Sequence, residues 1–308
     1  MMQKWQKLGL VYCPTGEDSW AMSHASNPIA QYLSENKFKV FFSSRDSHNR
    51  SQICSILMDL SNNKPQIIKD SLEHVLSHGD IGYFDDSGVT VSCLIRQNKK
   101  IYLYYLGWNL AKTIPFRNSI GLAVSVDNGL TFKRYSKGAI IDRNLIDTIS
   151  IAYPYVLFDG EKYRMWYGSC EEWNGSSVKD YFFSIKIAES KDGINWERNG
   201  LYALRCNRDF EDAVSRPHVV KDQDLYRMWY SKKKGKNYSI GYAESLDGIN
   251  WERLDSTMSL KTSLNGWDSE MIAYPFVFHH SVSRYMLYNG NSYGKTGFGI
   301  AVLDTEKF

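Results

Sequence analysis

The chain has 308 residues, 43 % apolar and 23 % charged, with a formal net charge of +3. That balance is ordinary for a folded protein and too small to mark a nucleic-acid-binding surface. Five scattered cysteines without CxxC spacing argue against a disulfide framework and a zinc site, and no 18-residue apolar run offers a membrane span. The N-terminal residues lack the apolar core of a signal peptide, so a cytoplasmic location is expected. The unusual figure is 14 % aromatic, with 21 Tyr and 9 Trp. Such residues favour strands and also present flat faces to sugar rings.

In chain order, Trp5-Gln6-Lys7-Leu8-Gly9 comes first and resembles two later segments, Trp196-Glu197-Arg198-Asn199-Gly200 and Trp251-Glu252-Arg253-Leu254. An aromatic strand of the form K-Y-R-M-W-Y then recurs five times, ending at Phe42, Tyr105, Tyr167, Tyr230 and Tyr288. The intervals are 63, 62, 63 and 58 residues, with no linker between copies. A period this regular implies one ring-shaped or stacked architecture. The third copy predicts strands at 151–158, 162–167, 185–190 and 194–198, separated by Asp-Gly turns and a polar loop. The fourth repeats them at 215–220, 225–230, 240–245 and 251–253. The fifth has strands at 272–278, 284–288 and 298–303 but no fourth, a gap that the N-terminal segment fills. Nothing shows a long helical period. The expected fold is therefore all-β: a single domain, 1–308, forming a five-bladed β-propeller with four antiparallel strands per blade. Its ring is closed by the N-terminal strand in blade five.

The segment 125–132 and its shorter versions at 190–196 and 245–251 read as hairpins in which Asp127, Asp192 and Asp247 satisfy turn amides. They are not catalytic candidates. In a propeller the innermost strand of each blade lines the channel. The loop entering that strand and the loop between strands two and three open on one face. This filter selects Asp85, Asp46, Glu270 and Asp212 as candidate catalytic carboxylates. Candidate ligand-binding residues are His24, Asn27, Arg45, Asp86, Trp108, Glu171 and Trp173, with Arg216, Asp268 and Asn291. Several arginines and histidines stand among these acids, and guanidinium forks match phosphate and carboxylate geometry. An anionic ligand is expected. No metal motif or cofactor signature appears.

The repeated Y-R-M-W-Y and S-x-D-G-x-x-W pieces resemble the clan of five-bladed propeller glycosidases, which includes arabinanase/xylosidase, invertase/levansucrase and mannoside phosphorylase families. The likeness is closest to glycosidase-like propellers with F-D-D-x-G-V before blade two and G-W-D-S-E before blade five, here 84–89 and 266–270. It implies a carbohydrate-active enzyme that cleaves or transfers a glycosidic bond, one carboxyl protonating the leaving oxygen and another activating water or attacking the sugar. One departure stands out. Where the clan carries Asp before the blade-one proline, this chain has Asn27, and an amide cannot act as a general base. Phosphorolysis or glycosyl transfer is the alternative, with a sugar-phosphate or nucleotide-sugar ligand. So is a propeller that only binds a glycan or a protein.

Overall fold

The computed structural model describes residues 2–61, 64–69, 71–175 and 181–303. Among these residues the chain is nearly all β, with a four-residue helical turn at Asn291–Gly294 and a 3-10 turn at Asp255–Thr257. The first strand, β1 (Trp5–Tyr12), does not pair with its sequence neighbours. The antiparallel set that follows contains β2 (Ser23–Ser34), β3 (Lys37–Arg45) and β4 (Ser51–Asp59), with β5 (Gln66–Ile67) and β6 (Glu73–Leu76) both on β4. The second unit runs β7 (Gly88–Gln97), β8 (Lys100–Leu110), β9 (Phe116–Ser125) and β10 (Lys133–Arg134). The third has β11 (Ile151–Phe158), β12 (Tyr163–Trp173), β13 (Tyr181–Ser190) and β14 (Tyr202–Leu204). The fourth has β15 (Ala213–Asp222), β16 (Leu225–Lys234), β17 (Asn237–Ser245) and β18 (Glu252–Arg253). The last joins β19 (Ala273–His280), β20 (Ser283–Asn289) and β21 (Phe298–Leu303) to β1, with Trp5 opposite Leu303.

Single parallel bridges, Ser51 to Gly88 and Phe183 to Ala213, link the first unit to the second and the third to the fourth. The expected strand at 194–198 is reduced to one bridge between Glu189 and Glu197, and the outer strand of that unit lies further on, at β14. The Asp192 carboxylate explains this: it accepts the Ile194 and Asn195 amides, holding the segment as a turn. Asp247 does the same for Ile249 and Asn250.

The recurrent M-W-Y and W-x-R pieces have separate structural tasks. The aromatic of each outer segment packs edge-on against the penultimate aromatic of the preceding unit's second strand. The pairs are Phe132 on Phe41, Trp196 on Tyr104, Trp251 on Trp166 and Trp5 on Trp229, with interplanar angles of 86°, 79°, 85° and 87°. Two residues on from each of these outer aromatics stands a cation: Arg134, Arg198, Arg253 or Lys7. Each pairs with a carboxylate that also accepts the hydroxyl of the last tyrosine in the second strand of its own unit. These latches are Tyr105–Asp85–Arg134, Tyr167–Asp147–Arg198, Tyr230–Asp255–Arg253 and Tyr288–Asp268–Lys7. Burying a charge is tolerable only with such pairing.

Candidate active site

The first long strand of each unit (β2, β7, β11, β15 and β19) breaks register near its start. The slips lie at Ser26/Ile29, Val91/Cys93, Ala152/Tyr155, Ser215/His218 and Ala273/Phe276. In four units the displaced residue precedes a proline and adopts a left-handed backbone: Asn27 (φ 55°), Tyr153 (φ 50°), Arg216 (φ 52°) and Tyr274 (φ 57°). A residue before proline normally stays extended, and bulky side chains avoid positive φ. Strain of this kind, about 1–3 kcal/mol per residue, persists only where surrounding structure enforces it, and such positions cluster at functional sites.

The displaced residues meet. Arg216 is fully buried; its Nε donates to Asn27 Oδ1 at 2.9 Å and its Nη1 to the Ser92 carbonyl at 3.0 Å. Its Nη2 has no hydrogen-bond partner among the described residues. Ser92 Oγ donates to the Pro154 carbonyl, and the rings of Tyr153 and Tyr274 lie 5.6 Å apart. Asn27 is held in turn by Asn289, whose Oδ1 accepts the Asn27 amide at 2.7 Å. Burial lowers the Arg216 pKa to about 10, with phenols and the Cys93 thiol opposing the fall, so the guanidinium is charged at neutral pH.

Above this floor is a cavity of about 330 Å³. Part of its lining is polar. Arg45, at the end of β3, donates from Nη1 to Asn49 Oδ1 at 2.7 Å and faces the phenols of Tyr153, Tyr274 and Tyr293. Burial lowers its pKa, and the three phenols oppose the fall. Beside it, His24 (φ 63°) is tied through Nδ1 to Ser23 Oγ at 2.9 Å. Burial, Arg45 and Lys295 together push the His24 pKa down to about 4, so the imidazole is neutral at pH 7. The rest is largely aromatic. Trp108, fixed by its Nε1 to Ser51 Oγ at 2.8 Å, joins Phe116, Tyr181 and Phe183, with Tyr238 beyond them. The Tyr181 and Tyr238 hydroxyls are 2.9 Å apart. No carboxylate lines the cavity among the described residues.

The structure thus gathers four of the expected residues at the cavity: His24, Asn27, Arg45 and Trp108. Arg216 lies beneath it, and Trp173 stands behind the wall, packed on Phe116 and Tyr181. The expected carboxylates are elsewhere, for identifiable reasons. Asp85 is 0 % exposed within its latch to Tyr105 and Arg134, and a side chain at Gly79 would meet its Oδ1 at 2.1 Å. Asp46 folds its own loop, accepting the His48 and Arg50 amides and pairing with the Arg50 guanidinium. Asp212 caps the Gly235 amide, and Glu270 is exposed.

The remaining expected ligands also hold loops together. Asp86 binds Asn109 and the Gly82 amide, Glu171 accepts Ser184 Oγ, and Asp268 is latched to Lys7. Asn291 accepts the Glu270 and Met271 amides. Sequence reasoning missed the tyrosines at 153, 181, 238, 274 and 293. The X-Pro dipeptides at 153–154 and 274–275, in register with 27–28, were the available signal for two of them.

No family model matches the chain. Solved structures share its fold. One titled "Glycoside hydrolase" superposes with a TM-score of 0.75 at 17 % identity, covering 100 % of this chain and 93 % of the other. A thermostable family-43 glycoside hydrolase gives 0.66 at 16 % identity, over 94 % and 90 %. The Bombyx mori GH32 beta-fructofuranosidase BmSUC1, as a mutant in complex with sucrose, gives 0.63 at 15 % identity, over 91 % of this chain and 61 % of that one. The chain therefore has the nearly all-β fold of the propeller glycosidases. In sequence it is 40 % identical over 300 residues to the uncharacterized protein Rv1502 of Mycobacterium tuberculosis, covering 97 % of this chain and 99 % of that protein. On that likeness the chain belongs to the Rv1502 family.

Proposed function

We propose that the five antiparallel units are the blades of one five-bladed β-propeller spanning 1–308, and that its channel mouth binds a carbohydrate carrying an anionic group. The glycoside hydrolase-like fold supports a sugar ligand, as does the aromatic wall around Trp108. One observation carries the reading. The described lining has a guanidinium, Arg45, with no carboxylate counter-charge, above a buried cation, Arg216, that is neutralised only by amide and carbonyl dipoles.

Ordinary glycoside hydrolysis uses two carboxyl groups flanking the bond. Asn27 supplies an amide at the channel, and Asp85 and Asp268 are committed to latches. The geometry favours recognition, or transfer with phosphate as co-substrate, over two-carboxylate hydrolysis. The test is incubation with a panel of aryl glycosides, with and without phosphate, beside calorimetric titration of neutral and charged sugars. Binding of charged sugars without hydrolysis is expected; phosphate-dependent release would favour the transfer form. Phosphate-independent hydrolysis of neutral glycosides at rates typical of glycosidases would overturn the reading.

A further inference from the structure

The cavity lining combines two unlike chemistries, polar and aromatic, and together they narrow the ligand. Among the polar groups, the Arg45 fork spends one nitrogen on Asn49. Its Nε and Nη2 make no hydrogen bond among the described residues, yet neither is a buried orphan. Nε2 of His24 is in the same position, while Nδ1 is occupied by Ser23. Lys295 acts on the same imidazole. The phenols of Tyr153, Tyr274 and Tyr293 complete the polar lining.

One lining cation, Arg45, with the buried Arg216 below it, thus faces a space without a described carboxylate, and the charge of Lys295 acts on the adjoining His24. A monoanion leaves much of that charge uncompensated. A phosphate monoester brings about −1.5 to −2 charge and three strong acceptor oxygens, matching both the charge and the donors. Size is the second constraint. A cavity of about 330 Å³ is near the small end of ligand pockets, roughly 300–1,000 Å³. It suits one sugar ring, not a polymer cleft. Trp108 is anchored to Ser51, the strand partner of Arg45, so a sugar ring stacked on it has a charged substituent within reach of that guanidinium.

We propose that this cavity is a site for a monosaccharide phosphate monoester, its phosphate on Arg45 and His24 and its ring on Trp108 and Phe116. This rests on the carbohydrate reading above and specifies its ligand. The test is calorimetric titration of the full chain with gluco-, galacto- and manno-configured sugars, each as neutral sugar, uronate and phosphate monoester, with inorganic phosphate as a separate arm.

At least one monoester should bind about tenfold or more tightly than its neutral parent, its uronate and inorganic phosphate, a difference of about 1.4 kcal/mol. Arg45→Met should remove that preference, and Arg45→Lys should restore part of it. If Arg45→Met does not fold, His24→Gln supplies the same readout through a smaller loss. Equal affinity for neutral sugars or uronates overturns the phosphate assignment while the carbohydrate reading stands. Inorganic phosphate binding as tightly as every ester overturns the role of the aromatic wall. If no sugar binds in any form, the carbohydrate reading itself falls.

Discussion

Arg216 Nε donates to the side-chain oxygen of Asn27 at 2.9 Å, across a sequence separation of 189 residues, and both residues are buried in left-handed backbone before a proline. An aspartate at position 27 would make this contact a buried ion pair and cancel the charge beneath the cavity. With asparagine the positive potential remains available to a ligand. Asn27→Asp should therefore fold, because the guanidinium is already positioned for a carboxylate, and should weaken binding of anionic sugars by about tenfold or more, equivalent to about 1.4 kcal/mol. Calorimetry on the variant, with melting to confirm folding, decides this. Unchanged affinity would mean that the Arg216 field does not reach the ligand.

Asp85→Asn separates architecture from chemistry. The carboxylate is fully buried between Tyr105 and Arg134, so its loss strands a largely buried arginine. Removing one partner of a buried pair costs about 3–5 kcal/mol. The melting temperature should drop clearly while sugar affinity of the folded fraction stays unchanged. A variant that melts normally but loses ligand binding or activity would return Asp85 to the site.

Trp5 is 8 % exposed and stands edge-on to Trp229, while two residues later Lys7 pairs with Asp268. Trp5→Ala should destabilise the whole chain by about 3–5 kcal/mol. Deleting residues 1–12 should do more, because it also leaves β21 as an open sheet edge. Denaturant unfolding followed by tryptophan fluorescence measures both. An unchanged midpoint in the deletion would show that β1 contributes nothing to closure.

Acid should unfold the protein through its buried histidines. His218 lies between Tyr155 and Phe276, with Nε2 donating to the Val277 carbonyl at 2.7 Å, and burial with the Arg216 charge lowers its pKa to about 3. In the unfolded chain an imidazole titrates near about 6.5. Between those values the unfolded state binds a proton that the folded state lacks, so stability is complete above about pH 6.5 and is lost progressively towards about pH 3. His24, lowered to about 4, adds to the same decline. Melting temperature against pH should fall through this window, and His218→Phe should flatten the slope. A flat profile in the wild type from about pH 6.5 to about pH 4.5 would contradict the assignment.

The repeat made the strands legible because each copy carries two kinds of information at once. Alternating aromatics mark the strand, and the tryptophan and tyrosine at fixed positions mark what it touches. Asp127, Asp192 and Asp247 were readable as turn residues, since an Asp at a Gly-containing hairpin turn has local partners. The site was less legible. Asp85 and Asp268 occupy the loops from which catalytic acids are expected, yet each stands 20 residues before the tyrosine that binds it, a regularity visible in the sequence and repeated by Asp147 and Tyr167. Spacing alone does not say whether a loop acid turns to the cavity or back into its own unit. That depends on the cation two residues past the outer aromatic, which reaches it only after the sheet forms. The tyrosines of the cavity were hidden among many others built for packing.

The pairing of Trp5 with Leu303 also orders events in time. Strand β1 leaves the ribosome before every other strand described, and its partner β21 leaves after all of them. It therefore waits through the synthesis of the intervening units with its apolar face uncovered. Those units can assemble from hairpins as they emerge, but the last sheet stays incomplete until translation has passed residue 303. Joining such distant segments is a slow, entropically costly step. A variant whose β1 sequence is moved by circular permutation to follow residue 303 would turn that long-range search into a local hairpin, and refolding should accelerate.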